Sequence, residues 1–362
     1  MKRLKILTVI SLLLSIILFS MEKQKTIEDI TSGNLPKEWF QENKTPLTPK
    51  EHIRPADQTF LTFPEWFLVH SPREEANYLK TRTSSSFPFI GHLSQLWKSY
   101  EIVNKQIKPY YEFNGGYHLM IMVISVSTTV EYGLKSVYEN TIGRMTDTKI
   151  GEELTEEDKF QAIVLDEYVK FILQTPWYEF DFANSIKKLW TEVPIYGNNL
   201  VRKIERRFFL TTDLGIKSIY GWLIKKATKS IYEDPILGTA VVVDRIPSKL
   251  KNNIKVLKEG DEYSILLLPR YADFNPAAIS LAKQNIEIKE IAGNKGAILL
   301  TILAPEEYNF EESKKFQSIF VQHILTDFTK KRIAIVCLVT NLPELLRKLS
   351  EEKIFVEHIY DY

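Results

Sequence analysis

The chain is nearly devoid of cysteine. Its one thiol, Cys337, lies inside the apolar run Ile333 to Val339, so it reads as a small buried hydrophobe and leaves no internal disulfide to form. Histidine is also scarce: none of the six, at positions 52, 70, 92, 118, 323 and 358, stands three to five residues from another. Zinc-ligand spacing is therefore absent and no metal is expected. Glycine-rich phosphate loops and a G-x-S-x-G elbow are missing too, and the lone doublet Gly115-Gly116 reads as a turn, so no cofactor is expected. Excess charge is lacking as well. Forty-seven Lys and Arg against 46 Asp and Glu leave a net +1, which gives no basic footprint for nucleic acid.

What remains is ordinary globular material, 44% hydrophobic and 26% charged over 362 residues, enough for two domains. The N-terminus stands apart. Lys2, Arg3 and Lys5 precede fifteen uncharged residues, Ile6 to Ser20, eleven of them Leu, Ile, Val or Phe. At about −0.3 to −0.6 kcal/mol each, those eleven outweigh Thr8, Ser11 and Ser15 and predict a membrane-spanning helix. Leu18 and Ser20 make a poor cleavage pair, so a signal-anchor is favoured over a removed signal. Basic residues before the span place the bulk of the chain outside the cytoplasm, in a bacterial envelope. A second candidate span is Tyr117 to Leu134. Its competing reading is a core helix of a bundle, because Leu119, Val123, Val126, Val130 and Val137 recur on one stripe.

Residues 22–58 are polar and carry Pro36, Pro46, Pro49 and Pro55, the composition of a tether with one short helix at Lys37 to Asn43. From 59 to 235 the pattern is helical, with starts predicted at Ser71-Pro72 and at Thr155, whose Asp158 three residues on resembles a capping box. From 236 to 362 short apolar runs alternate with helical stretches. Strands are expected at Ala240 to Arg245, Ser264 to Leu268, Ile286 to Lys289, Ala297 to Leu303 (after a hairpin turn at Gly293 to Gly296), Arg332 to Val339 and Ile354 to Tyr360. Helices are expected at Ala277 to Lys283, Glu312 to Phe328 and Pro343 to Leu349. The fold class so read is α+β: an N-terminal transmembrane helix, an all-α domain, then a small ferredoxin-like α+β domain.

Candidate chemistry is sparse. In EYGLKSVYENTIGR, the i,i+4 series Glu131, Lys135, Glu139, with Arg144 beyond, either positions a carboxylate beside a cation or decorates a solvated helix face. Glu65 sits among the aromatics of TFPEWF, where an aromatic wall raises a carboxyl pKa, although Pro64-Glu65 is also plain helix-start chemistry. Catalytic candidates are thus Glu65, Glu131 and Arg144; binding candidates are Trp66, His118 and Tyr138. Arg202 to Arg207 (RKIERR), followed by Lys217, Lys225, Lys226 and Lys229 among Ile216, Ile219, Trp222 and Leu223, reads either as a basic helix contacting a membrane surface or as a bundle helix with a solvated face. His358 and Asp361 near the C-terminus fall on opposite faces of a straight strand.

The runs TFLTFPEWF, EYGLKSVYENTIGR and EHIYDY together resemble a family of uncharacterised bacterial membrane-associated proteins. The resemblance spans about Ala56 to Tyr362 and implies an address and a two-part organisation, with no activity attached. Two functions follow as expectations: a membrane-anchored scaffold or ligand-binding module, with a membrane-associated enzyme using Glu65, Glu131 or Arg144 as the alternative.

Overall fold

The structure, a computed structural model, describes residues 26–31, 35–147, 153–228 and 237–362. Its helices of eight residues or more are α1 (Gln58–Glu65), α2 (Phe67–Tyr78), α3 (Phe89–Ile107), α4 (Gly115–Tyr138), α5 (Glu156–Ile172), α6 (Phe182–Thr191), α7 (Leu200–Thr228), α8 (Phe274–Lys283) and α9 (Leu342–Glu351). The strands are β1 (Ile27–Asp29), β2 (Gly238–Val243), β3 (Lys255–Lys258), β4 (Ser264–Pro269), β5 (Ile288–Ile291), β6 (Ala297–Pro305), β7 (Phe316–His323), β8 (Lys330–Leu338) and β9 (Phe355–Ile359). They form two antiparallel sheets, ordered β1-β7-β8-β6-β9 and β3-β4-β2-β5.

The chain divides into two compact units. One is helical and combines Trp66–Ser94 with Val126–Pro235; the other joins Lys25–Glu65, Gln95–Ser125 and Ile236–Tyr362 around the sheets. Residues 26–58, read above as a tether, group with the sheets. Thr26 and β1 pair along β7. The fully buried carboxylate of Glu290 accepts the backbone N–H groups of Leu47 and Thr48 at 2.9–3.0 Å, which ties that segment to β5.

In the sheet unit one apolar core takes Val241 and Leu266 from the four-stranded sheet, Ile298, Leu300 and Ile335 from the five-stranded sheet, and Leu281 and Leu345 from α8 and α9. Alternation puts Leu299, Thr301 and Val336 on the opposite pleat of the five-stranded sheet. There α1 packs: Thr59 takes the N–H of Leu299 at 3.0 Å and donates to the carbonyl of Tyr360 at 2.6 Å, and Phe63 meets Phe320 and Tyr360 edge-on.

This is not the ferredoxin-like domain that was expected. A ferredoxin-like unit has one sheet, and the hairpin expected at Gly293 to Gly296 would have paired β5 with β6. Instead β5 pairs with β2 and β6 with β8 and β9, so the turn carries the chain from one sheet to the other. Gly293 adopts φ +82°, which favours glycine. The helix expected over Glu312 to Phe328 is also a strand, β7. A register shift between Ser318 and Phe320 leaves Ile319 as an extra residue, and that bulge breaks the period of two, making Phe316, Ile319, Phe320 and His323 look helical in sequence.

The membrane reading is corrected as well. Among the described residues no helix is long and apolar enough to cross a membrane. Ile6 to Ser20, which carried that expectation, lies outside the described residues. The second candidate, Tyr117 to Leu134, belongs to α4, where His118, Ser125, Thr128, Tyr132 and Lys135 are turned inward, which is too much polarity for a span. The single-pass topology, the signal-anchor and the extracytoplasmic placement built on them are not supported.

Candidate functional site

The helical unit holds one network of charges inside. Arg202, Lys203, Arg206 and Arg207, the cations of RKIERR, are all buried, and α7 turns them towards its own Glu205 and towards carboxylates from other elements. Arg206 donates to Glu139 at 2.8 Å, to Ser84 at 2.7 Å and to Glu205 at 2.7 Å. Arg202 donates to Asp158 at 2.8 Å. Arg207 and Lys203 share Glu157, each at 2.8 Å, and Arg207 also reaches the carbonyls of Leu189 and Val193 at 2.8 and 2.6 Å. Four cations thus meet four carboxylates. Desolvating each ion is costly, and the bidentate geometry with satisfied partners offsets it.

Two local features deliver those carboxylates. Thr155 caps α5, accepting the N–H of Asp158, so the capping residue presents Asp158 and Glu157 on the first turn. After α4 the chain widens into a π turn, Glu139–Gly143, which aims Glu139 inward. Gly143 leaves room for that carboxylate, since an added Cβ would displace the Glu139 side chain.

A second cluster lies along the same pair of helices. Glu131 meets Lys135 at 2.9 Å and Lys217 at 3.1 Å; Asp213 meets them at 3.7 and 3.2 Å. Burial alone would raise the Glu131 carboxyl, but the two ammonium groups outweigh it and hold that carboxyl well below its ordinary range. For Lys135 burial is outweighed by Asp213, Glu131 and Glu75, so its ammonium form is strongly favoured. Glu75, almost fully enclosed, shifts the other way: burial raises its pKa against the pull of Lys135 and Lys217. Two lysines face three carboxylates, and Glu75 is the acid whose carboxyl is pushed up. The cavity between Glu75, Tyr168, Asp213 and Lys217 is about 30 Å³, room for a water.

The remaining candidates are dispersed. In the helical unit Tyr138 donates to Glu205 at 2.7 Å, Trp66 is buried against the ring of His70, and Arg144 is exposed. In the sheet unit Glu65 accepts from Tyr117 at 2.7 Å; burial raises its pKa against that bond and the charge of Arg270. His118 bonds Tyr100 at 2.7 Å and stacks on Phe113, with burial lowering its pKa. Asp361 is bound by Thr239 and faces Arg54 at 3.8 Å. An open groove of about 430 Å³ runs beside Lys37, Phe40 and Tyr110. Among the described residues no group of three His, Cys, Asp or Glu side chains is placed to hold a metal ion.

Sequence reasoning passed over the surface that burying these charges creates. On α4 the exposed side chains are Leu119, Val123, Val126, Ser127, Val130, Leu134 and Val137. On α7 they are Leu200, Val201, Ile204, Phe208, Thr212, Ile216, Ile219, Tyr220, Trp222 and Leu223 before the first exposed charge, Lys226. The stripe was visible as a period; its direction was not. No family model, no curated protein and no solved structure matches the chain.

Proposed function

We propose that the chain is a non-enzymatic scaffold whose working surface is the uncharged outer face of α4 and α7. The observation that carries this reading is the inversion of α7 over most of its length, with Arg202, Lys203, Arg206 and Arg207 inside and paired, and Val201, Ile204, Phe208, Ile216, Ile219 and Trp222 outside. Monomeric proteins rarely leave such a contiguous apolar patch uncovered, and a patch beyond a few hundred Å² marks an interaction site.

The enzyme reading loses its support for a geometric reason. Glu131 and Tyr138 are each engaged by a neighbour within the helical unit, Arg144 points outward, and Glu65 and His118 are bonded locally to tyrosines in the sheet unit. A ligand-binding role for the helical unit is disfavoured by volume, since small-molecule sites occupy about 300–1,000 Å³ and the cavity beside Glu75 is about 30 Å³.

The test is a photo-crosslinking amino acid placed in the full chain at Leu134, Phe208 or Ile219, and at the exposed control Glu101. Adducts of defined mass from the face positions and none from Glu101 are expected. A folded chain that yields no adduct from any face position overturns the scaffold reading.

A further inference from the structure

We infer that the partner seated on this face is a second copy of the chain, which completes a four-helix bundle with α4 and α7 of each protomer. This rests on the scaffold reading and names its partner.

The two helices are antiparallel neighbours. Along α4, Glu131 meets Lys217, Lys135 meets Asp213, and Tyr138 meets Phe209 and Glu205, so rising numbers on one helix face falling numbers on the other. On each helix the exposed apolar stripe lies about 100° round from that contact line, in the same rotational sense along the chain. Because the helices run in opposite directions, equal rotations bring both stripes to the same side. The result is one two-helix face formed by Val126, Val130, Leu134 and Val137 with Val201, Ile204, Phe208, Ile216, Ile219 and Leu223, each 45% to 68% exposed.

Three properties of that face select a copy of itself. The first is spacing. The steps along α4 are four, four and three, and along α7 three, four, eight, three and four, with Thr212 at the midpoint of the long step. Steps of three and four set side chains for knobs-into-holes packing against another helix pair. The second is area. At roughly 100 Å² of exposed surface per side chain the ten amount to roughly 1,000 Å², above the about 800 Å² per partner of a stable interface. The third is charge. An isologous contact brings each patch against its own image, and a face without charges has nothing to repel its copy. A helix lying on a lipid surface carries Lys and Arg along its apolar stripe, whereas Arg202, Lys203, Arg206 and Arg207 are turned inward and paired, and Lys225 and Lys226 stand only at the stripe's C-terminal end.

Light scattering on the purified full chain, together with bismaleimide crosslinking of Leu134→Cys, Phe208→Cys and Ile219→Cys, tests the inference. Cys337 is fully buried, so the introduced thiol reports alone. The expected result is a dimer mass, a crosslinked species of twice the chain mass from the face positions and none from Glu101→Cys. The exposed substitutions Leu134→Glu and Phe208→Glu should shift the mass to monomer while thermal unfolding stays within a few degrees of the parent. A monomer mass at tens of micromolar with no double-mass crosslink overturns the dimer. Should photo-adducts then have another mass, or should Leu134→Glu abolish flotation with anionic lipid vesicles, the face belongs to a different protein or to lipid. The first outcome leaves the scaffold reading standing; absence of any adduct removes both.

Discussion

The two units differ in how many charges they bury beside their apolar cores. The sheet unit encloses Ile, Leu, Val and Ala between its sheets and helices, so its core follows from removing apolar area from water. The helical unit has a smaller apolar cluster around Phe160, Phe182, Leu189 and Leu210, encloses Arg202, Lys203, Arg206 and Arg207 of α7 beside it, and leaves the apolar stripes of α4 and α7 outside. Part of its cohesion therefore rests on ion pairs whose value depends on every partner being present, because a buried ion stripped of its counter-charge pays full desolvation. Apolar cores degrade by the volume removed; charged interiors fail by the partner removed.

Arg206→Ala gives the largest expected effect. It leaves Glu139 buried without its cation and Glu205 without its fork, and such a loss costs about 3–5 kcal/mol. Thermal or denaturant unfolding of the helical unit should register it. A loss below about 1 kcal/mol would mean that water enters the network, and the comparison would then collapse.

Leucine sharpens the contrast between inside and outside. Leu300, wholly enclosed in the sheet core, should cost about 2–5 kcal/mol as Leu300→Ala, while Leu134→Ala, 63% exposed on α4, should stay within about 0.5 kcal/mol in the monomer. Equal effects measured by chemical denaturation would show that the α4 face is covered. Gly143→Ala should fall between those two, at about 1–3 kcal/mol, since the added methyl must displace the carboxylate that Arg206 holds. Rescue by the double variant Gly143→Ala with Glu139→Gln is not expected, because Arg206 would still lack one of its two counter-charges.

How much of this was readable in the sequence follows the same division. Apolar runs identified β2, β4, β6, β8 and β9, since a strand enclosed on both faces needs little beyond branched residues. Thr155 announced α5 correctly, because a cap is a local bond. Ser71 did not announce a helix start: α2 runs through Pro72, and Ser71 instead bonds Tyr132 and His92. Asn275, in the first turn of α8, spends its amide on Glu357 and Ile359 of β9. The candidate site was the least legible part. RKIERR shows four cations, but Glu139, Asp158 and Glu157 lie 44 to 67 positions away, and nothing local says that they converge. The α4 stripe has the same period whether it faces a core or a partner, so periodicity located the face and left its direction open.

The smallest expected effect separates two acids of the second cluster by sign. Glu131 is held below its ordinary pKa in the folded chain, so it adds stability above about pH 4.5, and that contribution is lost as the pH falls through its folded value. Glu75 is raised, so its contribution is full below about pH 4.5 and is lost as the pH rises through its folded value. Glu131→Gln should therefore lower the melting temperature at pH 8 and converge on the parent in acid. Glu75→Gln should match the parent in acid and melt a few degrees higher at pH 8, because an amide has no proton to lose beside Asp213 and Glu131. A Glu75→Gln chain that melts lower than the parent at pH 8 would show Glu75 ionised and paired with Lys135. The cluster would then balance its charges as the RKIERR network does, through partners alone and without a stored proton.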